Sequence, residues 1–400
     1  MTDDTDHRVI VIGAGPVGLM TAQRLLAAGI ETTVLEAESA LTHDMRASTF
    51  HPPTLDMLAE DGLAGALIER GLICREWQIR IHPDGERVVF DMSAIADDTG
   101  HPYRLQAEQY HLNALLMERV VKLGGTIHFT ATAAALTQTD DVATVTTEDG
   151  RRFEAAYIVG ADGGQSRVRK ELDIDMPGST YPQLSVLATT PFAFEKVLPN
   201  LSNVTYAWGA KANFALLRLP EVWRCSLYPP EGLSAEQAIA PEVVRPLIRD
   251  IAPEAEDAEL IDVRPYSVHR RLAARFSSGR VFLAGDAAHL NPPSGGMGMN
   301  GGIHDAALLA DCLAQAIKTG KAEILRTYEA IRRPIVSADI IQQAGANRAR
   351  MAERDHDKRR QSVADLQKVV ADPEQAREYL LNSSMITGLR RAQSLRDGLQ

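Results

Sequence analysis

The feature that most constrains the fold of this chain is a glycine pattern near its start. Gly13, Gly15 and Gly18 have the spacing G-x-G-x-x-G and directly follow the apolar run 9–12. A short continuous apolar run is typical of a buried parallel strand. Glycines at this spacing allow a tight turn and let a pyrophosphate approach the N-terminus of the following helix. The pattern therefore predicts a strand, a glycine turn and a helix that bind one end of a dinucleotide.

The residues after this turn complete a β-α-β unit. Leucines and alanines recur at helical spacing up to Gly29, which ends the helix, and residues 32–35 form a second apolar run. Glu36 stands at the end of that run, where a carboxylate can accept hydrogen bonds from ribose hydroxyls. The strand, helix and acid together make this glycine pattern a much stronger indication than the spacing by itself.

The same glycine spacing recurs at Gly296, Gly298 and Gly301, but without that context. Eleven residues, 285–295, separate it from the preceding apolar run, and no strand that ends in an acid follows. The apolar spacing over 303–317 instead predicts a helix that is preceded by a flexible loop. A helix N-terminus offers free N–H groups to an anion or an electron-rich ring edge. We therefore expect this loop to hold the other end of one long ligand.

A third segment has a related pattern. Residues 157–159 are typical of a strand, and residues 160–169 continue as a glycine turn, with Asp162 in the turn, and a helix start. By itself this segment is also compatible with a hairpin-like turn that Asp162 and Ser166 cap.

The three segments, taken in order, resemble a known family. G-x-G-x-x-G with Glu36, "GADGGQSRVR" and "GDAAHLNPPSGGMGMN" are similar to the motifs of the single-component flavin-dependent aromatic hydroxylases of the para-hydroxybenzoate hydroxylase type. The stretch "YSVHRRLAARFSSGRVFLAGDAAH" resembles the phenol-hydroxylase and hydroxyphenylpropionate-hydroxylase branch. The resemblance implies an α/β fold with a Rossmann-like FAD-binding domain, a β-sheet substrate domain and C-terminal helices.

A chain of 400 residues is long for one core, and the resemblance implies how it divides. The expected domains are a discontinuous FAD-binding domain (1–76, 104–180 and 269–345), a β-rich substrate-binding domain (77–103 and 181–268) and a C-terminal helical segment (346–400).

The resemblance also implies the reaction. It implies a monooxygenase with tightly bound FAD and transient NADH or NADPH, which hydroxylates a small phenolic or heteroaromatic molecule with O2 through a flavin hydroperoxide. That adduct decays to peroxide where water reaches it, so the pocket must be dry. Two alternatives stay open: another flavin reaction on the same fold, such as epoxidation or halogenation, and a non-catalytic FAD-binding scaffold for an unstable intermediate.

The resemblance assigns the cofactor contacts residue by residue. Arg46 matches an arginine that reaches the phosphates and ribose, Asp162 a motif shared with the nicotinamide cofactor, and Asp286 an acceptor for the ribityl chain. Gln109 matches a glutamine near the cofactor, with Gln106 as the competing choice. The expected FAD-binding residues are Gly13, Gly15, Gly18, Glu36, Arg46, Gln109, Asp162, Asp286, Gly298, Met299 and Asn300.

Candidates for catalysis lie in the same loop. Pro292 and Pro293 offer rigid backbone carbonyls without competing N–H donors, although they are equally compatible with a simple loop brace. His289 is a candidate general base, with an ordering residue behind the cofactor as the alternative reading.

Candidates for substrate binding lie in the β-rich segment. The alternation after Phe214 predicts that Arg218 shares a face with Phe214, whereas Arg224 and Tyr228 share another face. Arg218, Arg224 or Tyr228 could contact an acidic or phenolic substrate, and each is otherwise an ordinary residue on the surface of a sheet.

The C-terminal segment is predicted to be helical, with one helix starting at Asp372 and Pro373. Six of its basic residues are interpreted as one solvated face: Arg348, Arg350, Arg354, Lys358, Arg359 and Arg360.

Composition limits the partners of the chain. The net charge of −11 argues against nucleic acid and anionic membranes, and no apolar run approaches the ~18 residues of a membrane-spanning helix. Three scattered cysteines fit a reducing cytoplasm, and no histidine spacing indicates a metal site. We expect a cytoplasmic monomer or homodimer without a bound metal.

Overall fold

The computed structural model describes residues 8–43 and 47–398, which form an α/β fold. In chain order its strands are β1 Arg8–Ile12, β2 Glu31–Leu35, β3 Thr49–Phe50, β4 Leu72–Cys74, β5 Glu76–Ile81, β6 Arg87–Asp91, β7 Arg104–Gln106, β8 Thr126–His128, β9 Ala133–Gln138, β10 Ala143–Thr147, β11 Arg152–Ala155, β12 Tyr157–Gly160, β13 Gly178–Thr180, β14 Ser185–Thr190, β15 Val204–Trp208, β16 Phe214–Arg218, β17 Trp223–Leu227, β18 Asp262–Tyr266, β19 His269–Leu272, β20 Ser277–Ser278, β21 Val281–Leu283 and β22 His289–Leu290.

The helices pack on the two main sheets and make up most of the C-terminal part. In chain order they are α1 Pro16–Ala27, α2 Pro52–Glu60, α3 Ala64–Ile68, α4 Gln109–Lys122, α5 Arg167–Glu171, α6 Ala235–Ala238, α7 Pro241–Ile251, α8 Met297–Thr319, α9 Arg326–Ile335, α10 Gln342–Met351, α11 His356–Ala371, α12 Pro373–Ser383 and α13 Ile386–Asp397. A π-helical turn, Val336–Ile341, joins α9 to α10.

One sheet has the strand order β20-β21-β12-β1-β2-β8. Its strands from β21 to β8 are parallel, and only β20 at the edge is antiparallel. The predicted β-α-β opening is confirmed, because β1, α1 and β2 follow one another and β1 pairs in parallel with β2. Helix α1 packs against both α4 and α8, so the central strands are buried.

The glycine turn after β1 is shaped by close backbone approach. Gly13 has a φ of +106°, and a Cβ on it would lie 2.5 Å from the carbonyl oxygen of Ala161. A Cβ on Gly18 would lie 2.0 Å from the carbonyl oxygen of Gly13. These two positions therefore accept only glycine, since the clashing atoms belong to the backbone.

A second sheet has the order β18-β14-β17-β16-β15-β5-β6 and is antiparallel except between β15 and β5. One face packs on α7 through residues such as Phe214, Leu216 and Val244. Its strands come from both segments that were expected to form the substrate domain. The domain boundaries themselves stay a prediction, because membership of a sheet does not define a separate folding unit.

The C-terminal helices pack on the far end of this second sheet. Tyr379 of α12 stacks on Phe90, which in turn stacks on Trp77 of β5. The predicted helix start is confirmed, because α12 begins at Pro373 and the Asp372 side chain accepts hydrogen bonds from its first turn.

The interpretation of six basic residues as one solvated face is wrong. Arg348 and Arg359 are buried, at 9% and 6% exposure. Arg359 donates hydrogen bonds to the carbonyl oxygens of Glu353 and Gly209. The end of the sheet covers this side of α10 and α11, and carbonyl acceptors compensate a guanidinium that has lost its water.

The start of α8 was placed too late in the sequence. The helix begins at Met297 rather than at 303, and Gly296 caps it with a φ of +68°. That left-handed conformation suits glycine and ends the loop six residues earlier than expected. Gly298 and Met299 therefore lie in the first turn of the helix itself.

No helix within residues 8–43 and 47–398 is both long enough and apolar enough to cross a membrane.

We predict that Gly18→Ala destabilises the ligand-free protein by about 1–3 kcal/mol or more, because the new methyl group meets a backbone oxygen that cannot rotate away. Gly15→Ala is the matched control, since a Cβ there meets no atom within 4 Å and an N-cap change of this kind costs less than about 1 kcal/mol. Chemical denaturation measures both. Equal losses of stability in the two variants would contradict the close-approach argument.

Candidate active site

The three glycine segments meet at one edge of the parallel sheet. Strands β21, β12 and β1 are neighbours and parallel, so their carboxyl ends lie side by side. Gly13 follows β1, Asp162 follows β12 and Gly285 follows β21. Ligands of open α/β sheets bind at the carboxyl ends of the strands. The second G-x-G-x-x-G pattern, which starts at Gly296, lies at the start of α8. It adjoins this same edge, because α8 packs against α1.

The turn after β1 opens onto free space on its ligand side. A Cβ on Gly15 would meet no atom of the described chain within 4 Å. Beside it, Glu36 Oε2 accepts a hydrogen bond from the Ala14 N–H (2.6 Å), and Oε1 accepts one from the Glu38 N–H (2.9 Å). These bonds fix the carboxylate, while each oxygen keeps a lone pair for a ribose hydroxyl. The residues present therefore fit a dinucleotide.

The turn after β12 leaves one buried acceptor unused. Asp162 Oδ2 accepts from the backbone N–H groups of Arg167 (2.7 Å) and Val168 (3.0 Å), so it caps α5. Asp162 Oδ1 is buried and has no hydrogen-bond partner in the part of the chain that the structure describes. Buried carboxylate oxygens without a donor are rare, and hydroxyl groups of a bound ligand would supply one.

Arg169 connects this turn to the loop after β21. It is buried, and its guanidinium donates to the carbonyl oxygens of Ala287 (3.0 Å) and Gly164 (3.1 Å). Arg169 belongs to the motif "GADGGQSRVR", but no role was predicted for it from the sequence. Its task is to hold two cofactor segments in register.

Two other residues, Asp286 and Arg46, were predicted to contact the cofactor. Asp286 lies in the short 3-10 helix Gly285–Ala287, and its side chain is exposed at the sheet edge, where it can meet a ligand. Arg46 lies outside the described residues.

The two glutamines that compete for a cofactor role have different surroundings. The Gln106 side chain is buried and exchanges hydrogen bonds with Thr49 Oγ1 (3.0 and 3.2 Å). Gln109 is half-buried at the first position of α4. The geometry leaves Gln109 the more accessible of the two, in agreement with the order of preference from the sequence.

At the start of α8, one residue is bonded to other parts of the protein and two others remain available to a ligand. The side chain of Asn300 is fully buried: its Oδ1 accepts from the His51 N–H (2.9 Å), and its Nδ2 donates to the carbonyl oxygens of Thr49 (2.8 Å) and Gly296 (2.7 Å). Asn300 therefore locks the helix start onto β3. Gly298 and Met299 are half-buried in the first turn, where helix N–H groups have no partner within the helix.

His289 lies in a buried ionic network. The Asp305 carboxylate accepts hydrogen bonds from the Gly285 N–H (3.0 Å), from His289 Nε2 (2.7 Å) and from Arg332 Nε (2.6 Å). His289 and Asp305 are completely buried, and Arg332 is almost so. In this position His289 fixes the loop from behind.

The charge of Asp305 depends on its neighbours. Burial alone would raise the pKa of this carboxyl, but the Arg332 guanidinium and the His289 ring outweigh burial and hold its pKa at about 2. Asp305 is therefore ionised throughout the neutral range and neutralises Arg332. Neither Asp305 nor Arg332 was identified from the sequence. An acid in the middle of an apolar helix pattern was the available signal for Asp305.

The proline pair and Gly295 form the outer part of the loop. The carbonyl oxygen of Pro292 accepts from Asn291 Nδ2 (2.8 Å) and that of Pro293 accepts from the Gly296 N–H (2.9 Å). His51 Nε2 lies 2.7 Å from the Gly295 carbonyl oxygen. Burial, with help from Arg104, lowers the pKa of His51 to about 3, so its neutral ring carries a proton on Nε2 and donates it to that carbonyl.

The three predicted substrate residues do not share one site. Arg218 pairs across the strands with Trp223, and Leu217 pairs with Arg224, so Arg218 and Arg224 point to opposite faces of the sheet. Arg218 is ion-paired with Glu195 (2.7 Å) on the face that α7 covers. Arg224 is buried and ion-paired with Glu108.

Arg224 and Tyr228 lie on the sheet face that looks towards the cofactor segments. Glu108, the partner of Arg224, is the N-cap of α4, the helix that begins with Gln109. Burial raises the pKa of Glu108, against the effect of Arg224. Tyr228 is half-buried, and burial raises its pKa well above the usual range. This sheet face therefore carries Tyr228 and an arginine that Glu108 neutralises, and the region between it and the cofactor segments is called the cleft below.

Within the described residues, no group of three or more His, Cys, Asp or Glu side chains is arranged to hold a metal ion.

Comparison with known proteins identifies the cofactor and the type of reaction. Residues 6–344 match the FAD binding domain family. The chain is 31% identical over 397 residues to a para-nitrophenol 4-monooxygenase of Pseudomonas sp., covering 97% of this chain and 98% of that one. It is 31% identical over 338 residues to a 6-hydroxy-3-succinoylpyridine 3-monooxygenase of Pseudomonas putida, covering 82% and 84% of the two chains.

One solved structure has a similar fold over nearly the whole of both chains. The p-nitrophenol 4-monooxygenase of Pseudomonas putida superposes with a TM-score of 0.87 at 30% identity, covering 94% of this chain and 96% of that one. The expected α/β architecture and the expected FAD cofactor are confirmed by these comparisons.

We predict that Asp305→Asn destabilises the protein at neutral pH by about 3 kcal/mol, because Arg332 is left buried without a counter-charge. The pKa of Asp305 is lowered in the fold, so its contribution is fully present above about pH 4 and is lost as the pH falls through about 2. Denaturation between pH 2 and 7 measures the effect, and the variant should lose this part of the acid dependence.

Asp311→Asn is the control for this prediction. Asp311 lies on the same helix and is ion-paired with Arg396 at the surface (3.3 Å), where loss of a pair costs less than about 1 kcal/mol. Similar losses in the two variants would refute the special role of Asp305.

Proposed function

The chain belongs to the FAD binding domain family and is a flavoprotein monooxygenase of the aromatic-hydroxylase type, and we propose that it hydroxylates a phenol or a hydroxypyridine at the expense of NADH or NADPH. The observation that carries this proposal is the convergence of the three cofactor segments at one sheet edge, and the nearby sheet face that carries Arg224 and Tyr228 supports it. The relatives that act on a nitrophenol and on a hydroxypyridine support this choice of ring.

FAD, when bound, takes two electrons from NADH or NADPH and activates O2, from which one oxygen atom enters the ring and the other leaves as water. The residues of the chain would position the cofactor, stabilise its negative charge and exclude water from the reacting atoms. Glu36 would hold the adenosine ribose, Asp162 and Asp286 would accept from hydroxyls of the cofactor, and the open turn at Gly15 would receive the pyrophosphate.

The start of α8 supplies electrostatic stabilisation. The N–H groups of Gly298 and Met299 in the first turn of α8 would lie next to the flavin, and the positive end of the helix dipole would favour a reduced flavin that carries negative charge. Asn300 keeps this helix start in place through its bonds to β3. The cytoplasm, where NADH and NADPH are abundant, is the expected compartment.

The loop 291–296 excludes water from the reacting atoms. Pro292 and Pro293 restrict its backbone, and His51 ties its Gly295 carbonyl to the body of the domain. His289 acts as a positioning residue through Asp305, because a completely buried ring cannot exchange protons directly with substrate.

We predict that Glu36→Lys weakens FAD binding at least about tenfold, since a cation replaces the acceptor of two ribose hydroxyls and one lost charged hydrogen bond is worth about 1.5–3 kcal/mol. Glu38→Lys makes the same charge change on an exposed neighbour and should retain FAD. Equilibrium titration of the apoprotein with FAD measures both. Equal affinities for FAD in the two variants would contradict the ribose role.

We also predict that a true substrate raises the rate of anaerobic FAD reduction by NADH or NADPH at least about tenfold, which is about 1.4 kcal/mol of barrier. Of the two G-x-G-x-x-G patterns, the one after β1 has the strand, helix and acid of a dinucleotide site, so we expect the nicotinamide cofactor to bind transiently and the flavin to move towards it. Stopped-flow absorbance with phenols, phenolic acids and hydroxypyridines measures the rates.

Product mass decides between hydroxylation and the other flavin reactions. Turnover under labelled O2 should add one labelled oxygen atom to the ring. NAD(P)H oxidation that never modifies any ring, or no NAD(P)H oxidation at all, would overturn the proposed hydroxylation.

A further inference from the structure

One buried cation near the cleft lacks an acceptor. Arg348 of α10 is 9% exposed, and its Nη1 is buried without a hydrogen-bond partner among the described residues. The other buried arginines of the described chain each donate to a carbonyl, hydroxyl or carboxylate oxygen: Arg80, Arg104, Arg169, Arg224, Arg332 and Arg359. Burying a guanidinium without an acceptor costs free energy. An anion that binds Arg348 would remove this cost.

The surroundings of Arg348 hold its guanidinium in place without neutralising it. Its central carbon lies 4.4 Å from the ring centre of Tyr181 and 5.7 Å from that of Tyr228. Aromatic faces attract a cation, but they carry no charge and offer no lone pair in the plane of the guanidinium. The hydrogen-bonding edge of Arg348 is therefore oriented and still available.

The position of Arg348 connects the flavin loop to the second sheet. Its neighbour Asn347 adjoins the loop, since a Cβ on Gly295 would lie 3.1 Å from Asn347 Nδ2. Tyr228 follows β17 on the same face as Arg224 and Ser226. Arg348 thus contacts Tyr228, which follows β17 of the second sheet, and directly follows a residue that adjoins the loop 291–296.

The arginines that the sequence suggested for this task are already neutralised. Arg218 is paired with Glu195 on the opposite face of the sheet, and Arg224 is paired with Glu108. Arg348 is buried and has no hydrogen-bond acceptor in the described chain, whereas Arg104, which is also buried, keeps Nε and Nη1 without partners but donates to Tyr206.

We propose that Arg348 binds an anionic oxygen substituent of the aromatic substrate, a carboxylate or a phenolate, and so selects anionic rings over neutral ones. A planar guanidinium matches such a group with two parallel hydrogen bonds. The rings of Tyr181 and Tyr228 pack against the Arg348 guanidinium and orient it. This inference rests on the proposed function, because it deepens the identity of the ring that the same cleft accepts.

The test compares matched pairs of ligands with the oxidised FAD-bound protein. One pair is 3-hydroxybenzoate and 3-hydroxybenzamide, which differ in a carboxylate. The other pair is 4-nitrophenol, at a pH where it is ionised, and 4-nitroanisole, which differ in a phenolate. Binding is measured from the perturbation of the flavin absorbance spectrum, so that no turnover is needed.

The expected result is a preference of at least tenfold for the charged member of one pair in the wild-type protein. Arg348→Met should reduce that preference to less than threefold, because it keeps an unbranched apolar stem but removes the charge, and Arg348→Lys should restore part of it. The pair that responds identifies the carboxylate or the phenolate.

Arg354→Met is the control. Arg354 lies just after α10, is exposed and carries the same charge, so its loss should leave the preference unchanged. Comparable losses of preference in the Arg354 and Arg348 variants would mean that overall charge, rather than Arg348, selects the anion.

The inference is overturned if the wild-type protein shows no preference in either pair, or if Arg348→Met retains it. A protein that prefers anionic rings through Arg348 but hydroxylates none would overturn the proposed function and leave this inference standing. If wild-type and variant proteins hydroxylate neutral and anionic rings equally well, this inference is overturned and the proposed function stands.

Discussion

The buried carboxylate of Asp305 is the interaction on which the geometry of the cofactor loop depends. It accepts the backbone N–H of Gly285 at the end of β21, the ring of His289 and the guanidinium of Arg332. One side chain thereby joins the parallel sheet, the loop and two helices. The arrangement is stable only while its charges balance, because either partner left without the other would be a buried uncompensated ion.

A second set of long-range contacts fixes the other side of the cleft. Asn300 ties the start of α8 to β3, and His51 ties the Gly295 carbonyl to the same segment. Arg224 and Glu108 then connect the second sheet to the N-terminus of α4. The cleft is therefore held by polar contacts between elements that are far apart in the chain, while the apolar cores lie within the separate layers.

The sequence predicted features that depend on neighbouring residues and missed those that depend on distant ones. The turn at Gly13 and Gly18 was predictable because its strand, helix and acid lie within thirty residues. The basic C-terminal face was misread, since nothing near Arg348 in the sequence reveals that a sheet end covers it. The link between Asp305 and Arg332 was missed for a related reason, because a helix pattern does not say which charged residues meet. The early start of α8 depended on the left-handed backbone of Gly296, which the run of glycines made possible without fixing its position.

Charge at the cleft is decided by burial rather than by composition. The net charge of −11 would repel an anionic ring from the protein as a whole, but at physiological salt such repulsion is largely screened beyond about 8 Å. At a buried position water weakens electrostatic interactions much less than at the surface, so a single buried guanidinium affects a nearby anion more strongly than distant surface acids do. An acidic protein can therefore present a locally cationic site, and the balance of acids and bases in a sequence cannot show whether its ligand is an anion. What decides the question is whether each buried arginine has its own acceptor, and this is a property of the folded chain alone.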